Sequence, residues 1–414
     1  MLGGCSERGH DNPFDPKGFG NSPVTLSVTS TDNNTIRLNW GWRSDPVTDY
    51  SGFRIYRSTS NDQNYTLYRE MPENQFSFVD SAIQRYNWYY YKVSVFGPAV
   101  ESAASQPQKI YLGLGSYWIL SRYGFWVRKV SYDLLRINRE YDTSYPPEEW
   151  AVSLSDSLIN LCFFRYDRGI SQLNLQKGFE DYFYYDDLDS PIDVEYDPSQ
   201  SRIFVLDEND QSSQDQLHVI RNKSIERKIT LPPDEYLKLY LSIQNQCLMI
   251  LGKTILLKFS LTTSTITDTI PFAEGFDGQD LDASTDSVFV LSTSALSKLS
   301  QIYRMSFADN NVNAMTISGI FYRITEKSTT REFYLAESIT EAKDMVVKLS
   351  SQGTRLLQLP NFEFVEQIGL NPYDQSIVVV DRLGDQLMLY DSSGNEVSRS
   401  LPNRFYDPIR IYIE

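Results

Sequence analysis

The sequence predicts an all-β chain, with a β-sandwich over residues 22–112 and a β-propeller over residues 116–414. Three observations lead there. An apolar strand pattern recurs at a regular interval through the second part. The first part holds short strand patterns at close spacing. No stretch carries the 3.6-residue apolar period of a helix.

The recurrence is clearest near the end. Ile377-Val378-Val379-Val380-Asp381, a Gly-containing turn at 382–385 and Gln386-Leu387-Met388-Leu389-Tyr390 read as two joined strands. Ser392-Ser393-Gly394-Asn395 then turns into a third. One apolar position per copy aligns Trp118, Cys162, Phe204, Leu248, Phe289, Tyr334 and Val378, at intervals of 44, 42, 44, 41, 45 and 44 residues. A strand-only repeat of this length marks a propeller with one four-stranded blade per copy. Seven copies predict seven blades, or six or eight if one repeat is irregular.

Other strand patterns keep step. One follows the aligned strand at 216–220, 256–259, 302–305 and 345–349. Another precedes it at 192–196, 237–241 and 368–370. The last of the preceding set, 409–413, has no aligned strand after it, whereas Trp118 has no such strand before it. The terminal strand is therefore expected to fill the vacancy in blade one, which closes the ring and removes an open sheet edge.

In the first part, strand patterns fall at 24–28, 36–40, 53–57, 65–68, 76–79 and 89–95, each alternating apolar with polar residues. So many short strands with one buried face imply a sandwich. Residues 1–21 are polar and rich in Pro and Gly, as in a flexible tether.

Composition narrows the function. With 54 Asp and Glu against 38 Lys and Arg, the formal charge of -16 argues against a nucleic-acid partner, which needs clustered cations. No run of 18 apolar residues would span a membrane as a helix. Cys162 and Cys247 sit in apolar strand patterns and read as buried free thiols, so no disulfide framework or cysteine zinc site follows.

The catalytic inventory is thin. His10 lies in the tether and His218 in a strand, so His218 is the only base open to a serine triad, which is therefore not expected, and a histidine metal site falls with it. Carboxylates cluster at Asp186, Asp187 and Asp189, at Asp207, Asp210 and Asp215, and at Asp277, Asp280, Asp282 and Asp286, all in loop-like stretches. Asp207, Asp210 and Asp215 are candidate Ca²⁺ ligands, although none follows a twelve-residue calcium loop, and surface charge is the plainer reading. No cofactor is expected. Aromatic residues make up 14% of the chain. Trp150, Tyr184, Tyr185, Phe321, Tyr322, Phe405 and Tyr406 fall near blade junctions and, with Asp186 and Asp187, are the candidate ligand-binding residues of a channel mouth. Packing between blades is the competing reading for them.

Three resemblances add to this. Leu2-Gly3-Gly4-Cys5 resembles the end of a bacterial lipoprotein signal, without the basic and apolar stretch that precedes such a cysteine. The likeness implies lipidation at Cys5, and Ser6 after it would suit the outer membrane. Residues 22–112 resemble a fibronectin type III domain through Pro23, Trp40, Phe53-Arg54-Ile55-Tyr56-Arg57 and the alternation of Tyr89, Tyr91, Val93 and Val95. That implies a spacer or interaction module, Trp40 as the central core aromatic and Tyr89 as a corner tyrosine bonding back to the preceding turn. The last repeat resembles the NHL type of propeller through its strand ending in Asp381 and its turn at Asn395, and residues 203–207 do so in part.

The expected function is that of a non-enzymatic, surface-tethered binding protein of the bacterial cell envelope. A lipid anchor would be its only membrane contact, and a protein or glycan its ligand. A polysaccharide hydrolase or lyase using Asp, Glu and Tyr is one alternative, and a structural envelope component another.

Overall fold

The computed structural model describes residues 24–30, 34–42, 50–59, 61–163, 169–209, 214–327, 329–340 and 343–414, and of Tyr184 only the backbone. Cys5, Pro23 and Asp210 lie outside the described residues. Every regular element among the described residues is a strand. The chain divides into two compact units, Met1–Gly115 and Ser116–Glu414.

The first unit holds β1 (Val24–Thr29), β2 (Ile36–Trp42), β3 (Gly52–Ser58), β4 (Thr66–Pro72), β5 (Ser77–Asp80), β6 (Trp88–Phe96) and β7 (Gln108–Tyr111). They form two antiparallel sheets, β1-β2-β5 and β4-β3-β6-β7. The alternation read from the sequence decides which side chains meet between them. Val24, Val28, Ile36, Leu38 and Trp40 from one sheet pack with Phe53, Ile55, Tyr91, Val93 and Val95 from the other. Trp40 meets Phe53 edge-on at 5.6 Å, which adds to its area burial. The Tyr89 hydroxyl donates to the Gln84 carbonyl at 3.2 Å and accepts from the Gln84 N–H at 2.6 Å, the corner contact expected of it.

The second unit is a wheel of seven four-stranded antiparallel sheets. Blades 2 to 7 span residues 147–184, 190–230, 236–271, 277–318, 321–362 and 365–399, each in simple up-and-down order. Blade 1 combines three strands from residues 117–142 with the terminal strand Pro408–Ile413. That strand pairs antiparallel with Tyr117–Ser121, setting Ile411 opposite Ile119 and Tyr412 opposite Trp118. The ring closes as expected, with seven blades.

Burial explains why the aligned strand was the legible one. It is the second strand of each blade, sandwiched on both faces by neighbouring blades, and Cys247–Gly252 and Ile377–Asp381 are buried at every residue. Outermost strands are half wetted, as in Thr265–Pro271, where exposure alternates along the strand. Cys162 and Cys247 are buried free thiols in second strands.

Several stretches read as loops are strands. Asp277–Ala283 is the innermost strand of blade 5, so Asp280 and Asp282 belong to its ladder. Trp150 lies within the innermost strand of blade 2, Pro147–Ser153, and Phe321 and Tyr322 begin that of blade 6. Asp207 lies in the second strand of blade 3. Low β-propensity of Asp and the Pro146-Pro147 pair suggested loops, but packing between blades overrides local preference.

Candidate functional site

All seven innermost strands carry a register shift near their start, between Pro147 and Glu149, Pro191 and Asp193, Tyr236 and Lys238, Gly278 and Asp280, Phe321 and Arg323, Val365 and Gln367, and Pro408 and Arg410. A bulge re-aims the next side chain. The residues just after it form one equivalent set around the wheel: Glu149, Asp193, Lys238, Asp280, Arg323, Gln367 and Arg410. All but Gln367 are ionisable.

Most of them reach to the next blade. Asp193 accepts the Leu239 N–H at 2.5 Å and Asp280 the Ile324 N–H at 3.0 Å. Lys238 donates to Asp280 at 2.6 Å. Arg323 grips Glu366 at 2.7 Å and also its carbonyl at 2.6 Å. Gln367 accepts the Ile411 N–H at 2.7 Å, and Arg410 bonds Glu149. Six of the seven junctions are thus bridged by this set among the described residues. The seventh, between blades 2 and 3, sets Glu149 near Asp193 instead.

The electrostatics follow from that pattern. Burial and then the Glu149 charge push Asp193 up to about 8. Burial and then Asp193 push Glu195 up to about 8. Further round, burial raises Asp282 to about 6, and burial followed by Asp282 raises Glu326 to about 7. Glu366 goes the other way. Burial alone would raise it, but Arg323, Arg410 and Arg382 together hold it down to about 2. Lys238 likewise stays above its ordinary value because Asp280 outweighs the cost of burial.

At the end of the channel where the innermost strands begin is a cavity of about 480 Å³. Its rim carries Glu235, Lys253 and Asp277, and its floor Lys238, Asp280, Arg323, Glu366 and Arg410. Lys253 pairs with Glu235 at 3.2 Å. Every charged floor residue already has a partner, so the mouth offers fixed donors and acceptors for a polar ligand. It contains no nucleophile with an adjacent histidine base.

The residues expected to line a mouth scatter. Trp150 is buried with Trp118, Leu161 and Phe163 between blades 1 and 2. Phe321 is fully buried in the packing of blades 5 and 6, and Phe405 meets Trp126 at 5.8 Å inside blade 1. Tyr322 stacks on Phe364 at 5.4 Å and accepts the Val365 N–H at 3.1 Å. Tyr406 is well exposed. Tyr185 lines a separate groove of about 270 Å³ between blades 2 and 3, with Phe183, Tyr196 and Lys223. Asp186 is exposed, and Asp187 is an exposed partner of Lys228 at 2.5 Å. The competing packing reading therefore holds for Trp150, Phe321, Tyr322 and Phe405, because large rings fill the wedge between twisted blades.

The Ca²⁺ candidates have other duties. Asp207 accepts the N–H groups of Asp189 and Ser190 at 3.1 and 2.8 Å and lies 3.3 Å from buried His218. Asp381 repeats the device on Glu363 and Phe364 at 3.1 and 2.9 Å, which is why the strand ends in Asp. Asp215 accepts the Tyr236 N–H at 3.2 Å. These carboxylates tie down the loops that join blades. Lys238, Arg323, Glu366 and Arg410 escaped the sequence reading. For Lys238, Arg323 and Arg410 the signal was present, since the seven equivalent positions repeat at 44, 45, 42, 43, 44 and 43 residues.

No protein-family model and no curated protein matches the chain. Solved structures do. A protein from Lactobacillus plantarum superposes with a TM-score of 0.58 at 11% identity, over 73% of this chain and 100% of that one. Hydrazine synthase from Kuenenia stuttgartiensis gives 0.55 at 9% identity, over 73% of this chain and 93% of that one. The Cps50 (Swd1) β-propeller domain from Myceliophteria thermophila gives 0.50 at 11% identity, over 68% and 98%. Identities this low speak for architecture alone. The second unit is a β-propeller.

Proposed function

We propose that the chain is a non-enzymatic binding protein of the bacterial cell envelope, anchored by a lipid at Cys5 and spaced from the membrane by a fibronectin type III-like module. The propeller mouth between Lys253 and Arg410 receives a polar segment of a protein or a glycan. One observation carries this reading: the charged floor of that mouth is fully paired and braced from blade to blade, which suits recognition and leaves no free reactive group. The sheet order of the first unit and the Tyr89 corner contact support the module assignment. The test is a glycan array and an envelope-protein pull-down with the wild type and Lys253→Ala. Lys253 is half-buried on the rim, so its loss should weaken capture without unfolding the wheel. Capture unchanged by Lys253→Ala removes the mouth from the proposal.

A second reading, a polysaccharide hydrolase or lyase, draws on the near-neutral Asp282 and Glu326 deeper in the channel, since a general acid needs a carboxyl protonated near working pH. Turnover of an acidic polysaccharide that vanishes in Glu326→Gln would establish it in place of the first.

A further inference from the structure

Past the mouth the channel continues along the innermost strands. A cavity of about 310 Å³ runs beside Asp282, Thr325 and Glu326, and another of about 410 Å³ opens where those strands end. Glu326 lines both. The second is also walled by Tyr240, Ser242, Ser284 and Thr285.

The charge pattern here differs from the mouth. Asp282 Oδ2 accepts the Glu326 N–H at 2.7 Å, which ties the two acids together across adjacent blades. Glu326 is only 9% exposed, and its Oε1 has no hydrogen-bond partner. No basic side chain bonds Asp282 or Glu326 among the described residues. The nearby cations are engaged elsewhere: Arg331 and Arg304 hold Asp286 at 2.9 and 3.5 Å, and Lys238 holds Asp280 at 2.6 Å. A buried carboxylate oxygen without a partner costs free energy that a fitting donor would recover.

We propose that this far half of the channel is a site for a ligand bearing a primary ammonium group, held by Asp282 and Glu326 with its aliphatic stem along Tyr240. An ammonium supplies three donors on a compact charge, which matches an unpartnered Oε1 and a neighbouring carboxylate. The Tyr240 ring favours both the stem and the cation. A metal ion fits less well, because no three acidic or histidine side chains converge among the described residues. The raised proton affinity of Asp282 and Glu326 agrees with a site that awaits a cation. None of this depends on what the opposite mouth binds.

Titration calorimetry of the full chain with 1,4-diaminobutane tests it. Binding should appear in the wild type and weaken about tenfold or more in Glu326→Gln and in Asp282→Asn, each of which removes one charged contact. Both variants relieve buried charge and should fold, and either one reads the contact if the other does not fold. Glu226→Gln, an exposed acid on the outermost strand of blade 3, controls for general attraction to an acidic protein and should leave binding unchanged. Absence of diamine binding overturns the site. So does equal weakening in Glu226→Gln, or a response to calcium chloride in place of the diamine.

Discussion

Replacing Glu366 by Gln should destabilise the propeller strongly at neutral pH and hardly at all in acid. The carboxylate is 6% exposed and takes three guanidiniums, Arg323 at 2.7 Å, Arg410 at 3.2 Å and Arg382 at 3.3 Å. Despite burial, these hold it down from 4.5 to about 2. A depression of that size corresponds to about 3 kcal/mol at neutral pH. Removing one partner from a buried ion cluster gives a similar figure, about 3–5 kcal/mol. For a unit of this length the melting temperature should fall by about 5–10 °C. The sign with pH is fixed. A lowered carboxyl contributes its full stability above pH 4.5 and loses it as pH falls towards 2. Calorimetric melts of wild type and Glu366→Gln should therefore differ most at pH 7 and converge below pH 4. Equal melting at pH 7, or a gap that ignores pH, would refute the idea that this cluster ties blades 6, 7 and 1 together.

Other outcomes follow from the same geometry. Glu195, pushed up to about 8, contributes the opposite slope: stability is full below pH 4.5 and is lost as pH rises through 8, so Glu195→Gln should gain about 1–3 kcal/mol at pH 9 and little at pH 4, read from urea midpoints. Ile411→Asp places a charge opposite Ile119 in the strand that closes the ring, and should cost about 3–5 kcal/mol with earlier proteolysis of blade 1. In the sandwich, buried Asp80 accepts from Arg57, Tyr68 and Tyr91, each at 2.8 Å, so Asp80→Ala should cost about 2–4 kcal/mol by chemical denaturation.

What could be read in advance was set by which side chains the packing makes uniform. Second strands such as Ile377–Asp381 are apolar at nearly every place because both faces are covered, so the repeat, the blade number and the role of the terminal strand showed through. Innermost strands gave a weaker signal. Lys238, Asp280 and Arg323 sit where hydrophobic side chains would be expected in a strand, because the channel supplies water and partners that a sheet core does not. The acids of 277–286 made that stretch look like a loop, whereas the apolar alternation of 237–241 still read as a strand. The aromatics misled in the other direction: Trp150 and Phe405 are flanked by turn-forming residues but are buried in apolar packing.

The pairing of Pro408–Ile413 with Tyr117–Ser121 also bears on synthesis. While a ribosome is still making the chain, Tyr117–Ser121 waits with one row of backbone amides and carbonyls bare until the wheel's other strands have emerged. For that whole interval the nascent wheel is a broken circle that any extended polypeptide could invade. Premature termination before residue 408 should thus yield an adhesive, swap-prone product, and chaperone demand should last until Pro408–Ile413 has emerged.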